Sequence, residues 1–162
     1  MIVRKIVTPV LAVLATFALS AQTQLPLPDL AGGLKATPGC LGVETARTGT
    51  GKLVIFAWFE DKKAVLRWYD SEMHKQVMKM AGPPDQSYVP LAGIADDSGP
   101  ILAVTSLTMA DTAASKNLPL PFSQIAIELY QPLPGGIFFG ARFAPNTVKV
   151  PGLRDFTPTR GK

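Results

Sequence analysis

One histidine, His74, stands in a chain of 162 residues, and it is the side chain whose charge changes near neutral pH. It follows Trp68 and Tyr69 closely in a stretch patterned as a helix. That spacing predicts a base or ligand contact beside an apolar cavity lined by Trp58, Trp68 and Tyr69. Set against this, a lone histidine with no Ser, Cys or carboxylate partner fits no nucleophile–base arrangement. The alternative is a half-exposed residue in the first turn of a helix capped by Ser71. Glu44, Glu128 and Arg142 fall on the mixed faces of their strands. If those faces meet in one cavity, they could pair or hold a polar ligand group; otherwise they are surface charges. The ligand-binding candidates are therefore Trp58, Trp68, Tyr69, Glu44, Glu128 and Arg142, with His74 as the catalytic candidate.

Metal chemistry finds no support in the spacing. One Cys and one His, Cys40 and His74, make no ligand cluster, and no acidic cluster resembles a calcium loop. Gly49-Thr50-Gly51-Lys52 lacks the length of a phosphate loop, and Lys52 opens a strand rather than a helix. The expectation is a site with neither metal nor cofactor.

The elements that position these residues are legible in part. Cys40–Arg47 and Leu53–Phe59 are apolar runs joined by Thr48-Gly49-Thr50-Gly51, which predicts a hairpin. The second run is apolar on both faces, the mark of a central strand covered on both sides. Asp61 caps the next segment, and Asp70-Ser71 interrupts it, so one kinked helix or two short ones meeting near His74 are expected up to Gly82-Pro83-Pro84. Ile101–Met109 is a third strand. Gln124–Tyr130 and Ile137–Phe143, joined by Pro132-Leu133-Pro134-Gly135-Gly136, predict a second hairpin. The sum is an α+β fold, an antiparallel sheet of about five strands with a kinked helix across one face.

The ends have a different character. Arg4 and Lys5 followed by the apolar run Ile6–Leu19 predict a bacterial Sec-type signal peptide over residues 1–20, cleaved before Ala21. That makes the mature protein periplasmic or secreted, with no stable membrane anchor. Residues 21–38 carry Pro26, Pro28, Pro38 and Gly32-Gly33 and are expected to form a linker. The single domain then spans 39–144, and 145–162 forms a basic tail. The formal charge of +4 comes from the leader and the tail; residues 21–144 hold 10 basic and 11 acidic side chains. A nucleic-acid-binding face is thereby disfavoured.

Pro38-Gly39-Cys40-Leu41-Gly42-Val43-Glu44, the strand end Phe56-Ala57-Trp58-Phe59, and Trp68-Tyr69-Asp70-Ser71-Glu72-Met73-His74 together resemble the antibiotic-biosynthesis-monooxygenase-like family. The resemblance covers residues 38–81 and implies a ferredoxin-like, dimeric α+β barrel. That family's domain begins with a further strand and helix, for which residues 21–39 are too short, so a late strand is expected to fill the missing place. Met78 stands where haem-degrading members carry a histidine, which argues against haem degradation. The expected function is an exported, non-catalytic module that binds a small apolar or aromatic ligand or a protein partner. The alternative is a cofactor-independent monooxygenase-like or isomerase-like enzyme using His74. A sheet with an open edge and an apolar face predicts a homodimer.

Overall fold

The computed structural model describes residues 28–81, 87, 89–111 and 120–158; residues 1–20, expected as a leader, lie outside them. Its centre is an antiparallel sheet of four strands in the order β1 (Cys40–Arg47), β2 (Leu53–Phe59), β3 (Ile101–Met109) and β4 (Phe122–Tyr130). The first hairpin forms as expected, with Val43 opposite Ala57 and Arg47 opposite Leu53. Its turn is tied by Thr48, whose carbonyl accepts from Gly51 N and whose hydroxyl accepts from Lys52 N. β2 is the central strand: five of its seven residues are buried, and Phe59 is fully enclosed. β3 arrives from far along the chain to pair with it, Phe59 opposite Ile101 and Leu53 opposite Leu107.

Strand register sorts the side chains into two faces. One face carries Ile55, Ala57 and Phe59 on β2, Ala103 and Thr105 on β3, and Ile127 on β4. The helices cover it. Asp61 caps α2 (Lys62–Tyr69) through a 2.7 Å bond from Ala64 N. Ser71 Oγ then accepts from His74 N at 3.2 Å and opens α3 (Glu72–Ala81). Of the two arrangements expected, two short helices form, because a fresh cap after Asp70 restarts the hydrogen-bond ladder rather than bending it.

Residues 21–38, expected to form a linker, contain a helix, α1 (Leu30–Ala36), capped by Asp29 at Gly32 N. Gly32-Gly33 lowers intrinsic helicity, and packing explains its presence. A Cβ on Gly33 would stand 3.0 Å from Met73 Cγ and 3.2 Å from Trp68 Cζ3, so the missing side chain lets α1 lie close against α2 and α3. Pro38-Gly39 then turns the chain into β1. Gly39 has φ +84°, and a side chain there would collide with Glu60, Ala64 and Arg67. Arg67 closes this corner by donating to the Pro38 carbonyl and to Glu60.

The second hairpin does not form. β4 instead pairs with β3, Thr105 opposite Ile127. The run expected as Ile137–Phe143 is extended only at β5 (Ile137–Phe138), which pairs in parallel with β6 (Arg154–Asp155). Gly140, at φ +68°, reverses the chain between Phe139 and Ala141, so the apolar run folds back before it can become a strand. Instead of about five strands in one sheet, the described residues form four, plus a separate pair. The stretch expected as a basic tail is built into the fold: Val148 is fully buried, and its carbonyl accepts from Arg142 at 2.8 Å.

This C-terminal segment covers the outer face of the sheet. Phe143 stands edge-on to Phe56 at 4.9 Å between ring centroids, and Pro145 seats on Gly42, where a Cβ would lie 2.6 Å from Pro145 Cγ. Gly42→Val is expected to cost about 1–3 kcal/mol by displacing Pro145, measured by chemical denaturation. Gly49→Ala, whose Cβ meets nothing within 4 Å, serves as the near-neutral control.

Candidate functional site

The middle of the helix-covered face is hollow. Ala57 and Ala103 sit opposite each other on the two central strands, and their short side chains leave the sheet floor low. Leu30 and Leu34 of α1, and Trp68 and Val77 of α2 and α3, form the roof of a cavity of about 180 Å³. Leu91 closes it from the loop before β3, held at φ +59°, a conformation seldom adopted by a branched side chain. Towards β4 the cavity is bordered by Ile125, Ile127 and Leu129, which are 49, 57 and 39% exposed.

His74 lines this cavity and is 8% exposed. Its position follows from the break between α2 and α3. The helix ends at Tyr69, whose freed carbonyl meets His74 Nδ1 at 2.9 Å. A carbonyl can only accept, so Nδ1 carries the proton and Nε2 keeps its lone pair. The imidazole is flanked by two rings, Tyr69 at 4.4 Å and Trp68 at 5.7 Å between centroids. Burial lowers the pKa below its ordinary 6.5, against smaller opposing effects of the Tyr69 carbonyl and the Asp70 charge. The ring is thus neutral near pH 7. It is a fixed acceptor, able to take a proton from an acidic O–H or C–H or to accept a hydrogen bond from a ligand.

The residues singled out in the sequence fall into separate groups. Trp68, Tyr69 and His74 come together at the cavity. Trp58, Glu44 and Arg142 lie across the sheet on the outer face, around a second cavity of about 310 Å³. Trp58 is 6% exposed, and its indole N–H has no acceptor among the described residues. A buried donor left unpaired costs about 1–3 kcal/mol. Glu128 joins neither group. It stands on β4 in the same cross-strand row as Glu44, Phe56 and Val104, exposed, with its carboxylate bonded to Tyr130, whose phenol pKa it raises.

Several cavity residues escape a reading of the sequence: Leu30 and Leu34, the Ala57–Ala103 pair, and Leu91. The i, i+4 leucines after Asp29 are a helix signal that the intervening glycines conceal. Among the described residues no group of His, Cys, Asp and Glu could hold a metal ion.

Because the folded pKa of His74 is depressed, the unfolded chain binds more protons between that pKa and 6.5. Stability is therefore full above pH 6.5 and falls as acid is added through this window. Denaturation midpoints taken from pH 7.5 downward are expected to fall less steeply in His74→Gln than in the parent, and equal slopes would refute the assignment.

Residues 21–80 match the model of the family described as antibiotic biosynthesis monooxygenase. No curated protein and no solved structure matches the chain. The matched stretch holds α1, the first hairpin, α2, and α3 nearly to its end, with Trp68, Tyr69 and His74 among them. The amino-terminal half of this α+β fold is thus an antibiotic-biosynthesis-monooxygenase-like segment, completed by strands from outside the match.

Proposed function

We propose that the protein is an exported domain that binds a small apolar or aromatic molecule between its helices and sheet. The observation that carries this reading is the cavity over Ala57 and Ala103, apolar on nearly every side, with the Nε2 lone pair of His74 as its fixed acceptor. Small-ligand sites have this composition: mostly hydrophobic walls with a few placed polar groups. A flat molecule with one hydroxyl, such as a naphthol, satisfies both. Export rests on the leader pattern of residues 1–20, after which the family match begins at residue 21.

The second reading is catalytic. The match to a monooxygenase family spans His74, and a neutral imidazole with its lone pair free is the form a general base requires. In this reading His74 deprotonates an acidic phenol or enol held against Trp68.

A homodimer accompanies either reading. β4 lies at the end of the sheet with one backbone edge unpaired among the described residues, and Ile125, Ile127 and Leu129 are exposed beside it. Edges of this kind are ordinarily covered. Pairing with a second copy covers edge and side chains together.

Quenching of Trp68 fluorescence by 2-naphthol, in a Trp58→Phe background, tests the cavity. Filling it with Ala103→Phe is expected to weaken binding at least about tenfold, ~1.4 kcal/mol, while circular dichroism stays unchanged. His74→Ala separates the two readings through oxygen uptake over a panel of hydroquinones and naphthols. Turnover in the parent that is lost in the variant supports catalysis; binding without turnover in the parent leaves the non-catalytic reading. Light scattering is expected to report a dimer that Ile127→Lys converts to monomer.

A further inference from the structure

The outer-face cavity is separate from the one beneath the helices and has a different chemistry. It lies between β1–β2 and the segment 140–146, and small residues leave the room: Gly42 on the strand side, with Gly140, Ala141 and Ala144 on the other. Its walls carry the Glu44 carboxylate, the Arg142 guanidinium and the Asn146 amide. Glu44 and Arg142 line one cavity, yet they are not among the ion pairs of the described residues. Arg142 gives one Nη2 donor to the Val148 carbonyl, which fixes the group in place, and its other N–H groups have no partner among the described residues.

Trp58 supplies the independent observation. It is more than nine-tenths buried, borders this cavity, and its N–H lacks an acceptor among the described residues. Phe143, which packs against the indole at 6.3 Å between centroids, is 55% exposed and held by aromatic contacts alone among those described. Rotation of that ring would be needed to open the indole N–H to the cavity. Arg142 from the 140–146 segment and the Trp58 N–H from the strand wall would then reach one end of a ligand, and the Glu44 carboxylate, on the strand wall, its other end.

The geometry points to a site for a small zwitterion of amino-acid size, its carboxylate on Arg142 and the Trp58 N–H, its ammonium on Glu44. A simple anion would meet the Glu44 charge, and a simple cation the Arg142 charge. A molecule carrying both satisfies the two walls at once. An apolar side chain on the ligand would rest against Phe143 and Phe56.

The test uses the mature protein, with the Trp58 indole N–H followed by nitrogen–proton correlation NMR and assigned by its loss in Trp58→Phe. The probes are phenylalanine and its single-charge counterparts, phenethylamine and 3-phenylpropionate. Phenylalanine at millimolar concentration is expected to move the Trp58 resonance, with either counterpart at least about tenfold weaker. Glu44→Lys, a change at an exposed strand position that leaves the fold intact, is expected to weaken phenylalanine at least about tenfold. Arg142→Gln is expected to weaken phenylalanine and 3-phenylpropionate alike. A Trp58 resonance unmoved by phenylalanine overturns the site. Binding of 3-phenylpropionate as tight as that of phenylalanine, or undiminished binding in Glu44→Lys, overturns the zwitterion assignment.

Discussion

β2 is apolar on both faces, and the rest of the molecule is arranged to keep water from both. Ile55, Ala57 and Phe59 need a layer on one side, and Val54 and Trp58 need one on the other. The first layer is helical, and α2 follows β2 at once through the Asp61 cap. The second layer is irregular and comes from the far end of the chain, through Phe143 and Pro145. Burial of apolar surface is the dominant favourable contribution to folding, so a strand of this composition commits both ends of the chain to its cover. Each cover is imperfect where small side chains face each other, and the two cavities arise at those places.

His74 shows how a local backbone event can set chemistry. The end of α2 frees a carbonyl, the start of α3 brings an imidazole beneath it, and one hydrogen bond selects the tautomer. Without the break at Asp70-Ser71 the Tyr69 carbonyl would have an intrahelical partner, and Nδ1 would need another acceptor. The flanking rings of Trp68 and Tyr69 then exclude water from the imidazole and keep it neutral.

What was legible in the sequence was local. The first hairpin, the double-sided burial of β2 and the caps at Asp61 and Ser71 depend on neighbours a few positions away, and each is where the pattern put it. α1 was hidden because Gly33 is chosen for contact with Met73 and Trp68, which lie some forty and thirty-five positions onward. The second hairpin misled because apolar content and flanking turn residues do not reveal a reversal at Gly140. The candidate site divided for a similar reason. Trp58 and Trp68 share an apolar, aromatic character, but alternation along β2 places Trp58 with Val54 and away from Ala57. Which of those faces the helices cover is a tertiary choice that no short window contains.

The family match ends at residue 80, yet the strand at its centre finds its second neighbour only from residue 101 onward. What matches the family model and what folds as a unit therefore have different boundaries. A ribosome that has released only the matched segment has made both helical cover and hairpin but leaves one edge of β2 open. Productive closure waits for a contact between residues more than forty positions apart, Phe59 and Ile101, whose loop must be ordered before the pairing compensates for it. Until residue 101 is available, β2 therefore keeps one edge open to any process that meets the growing polypeptide.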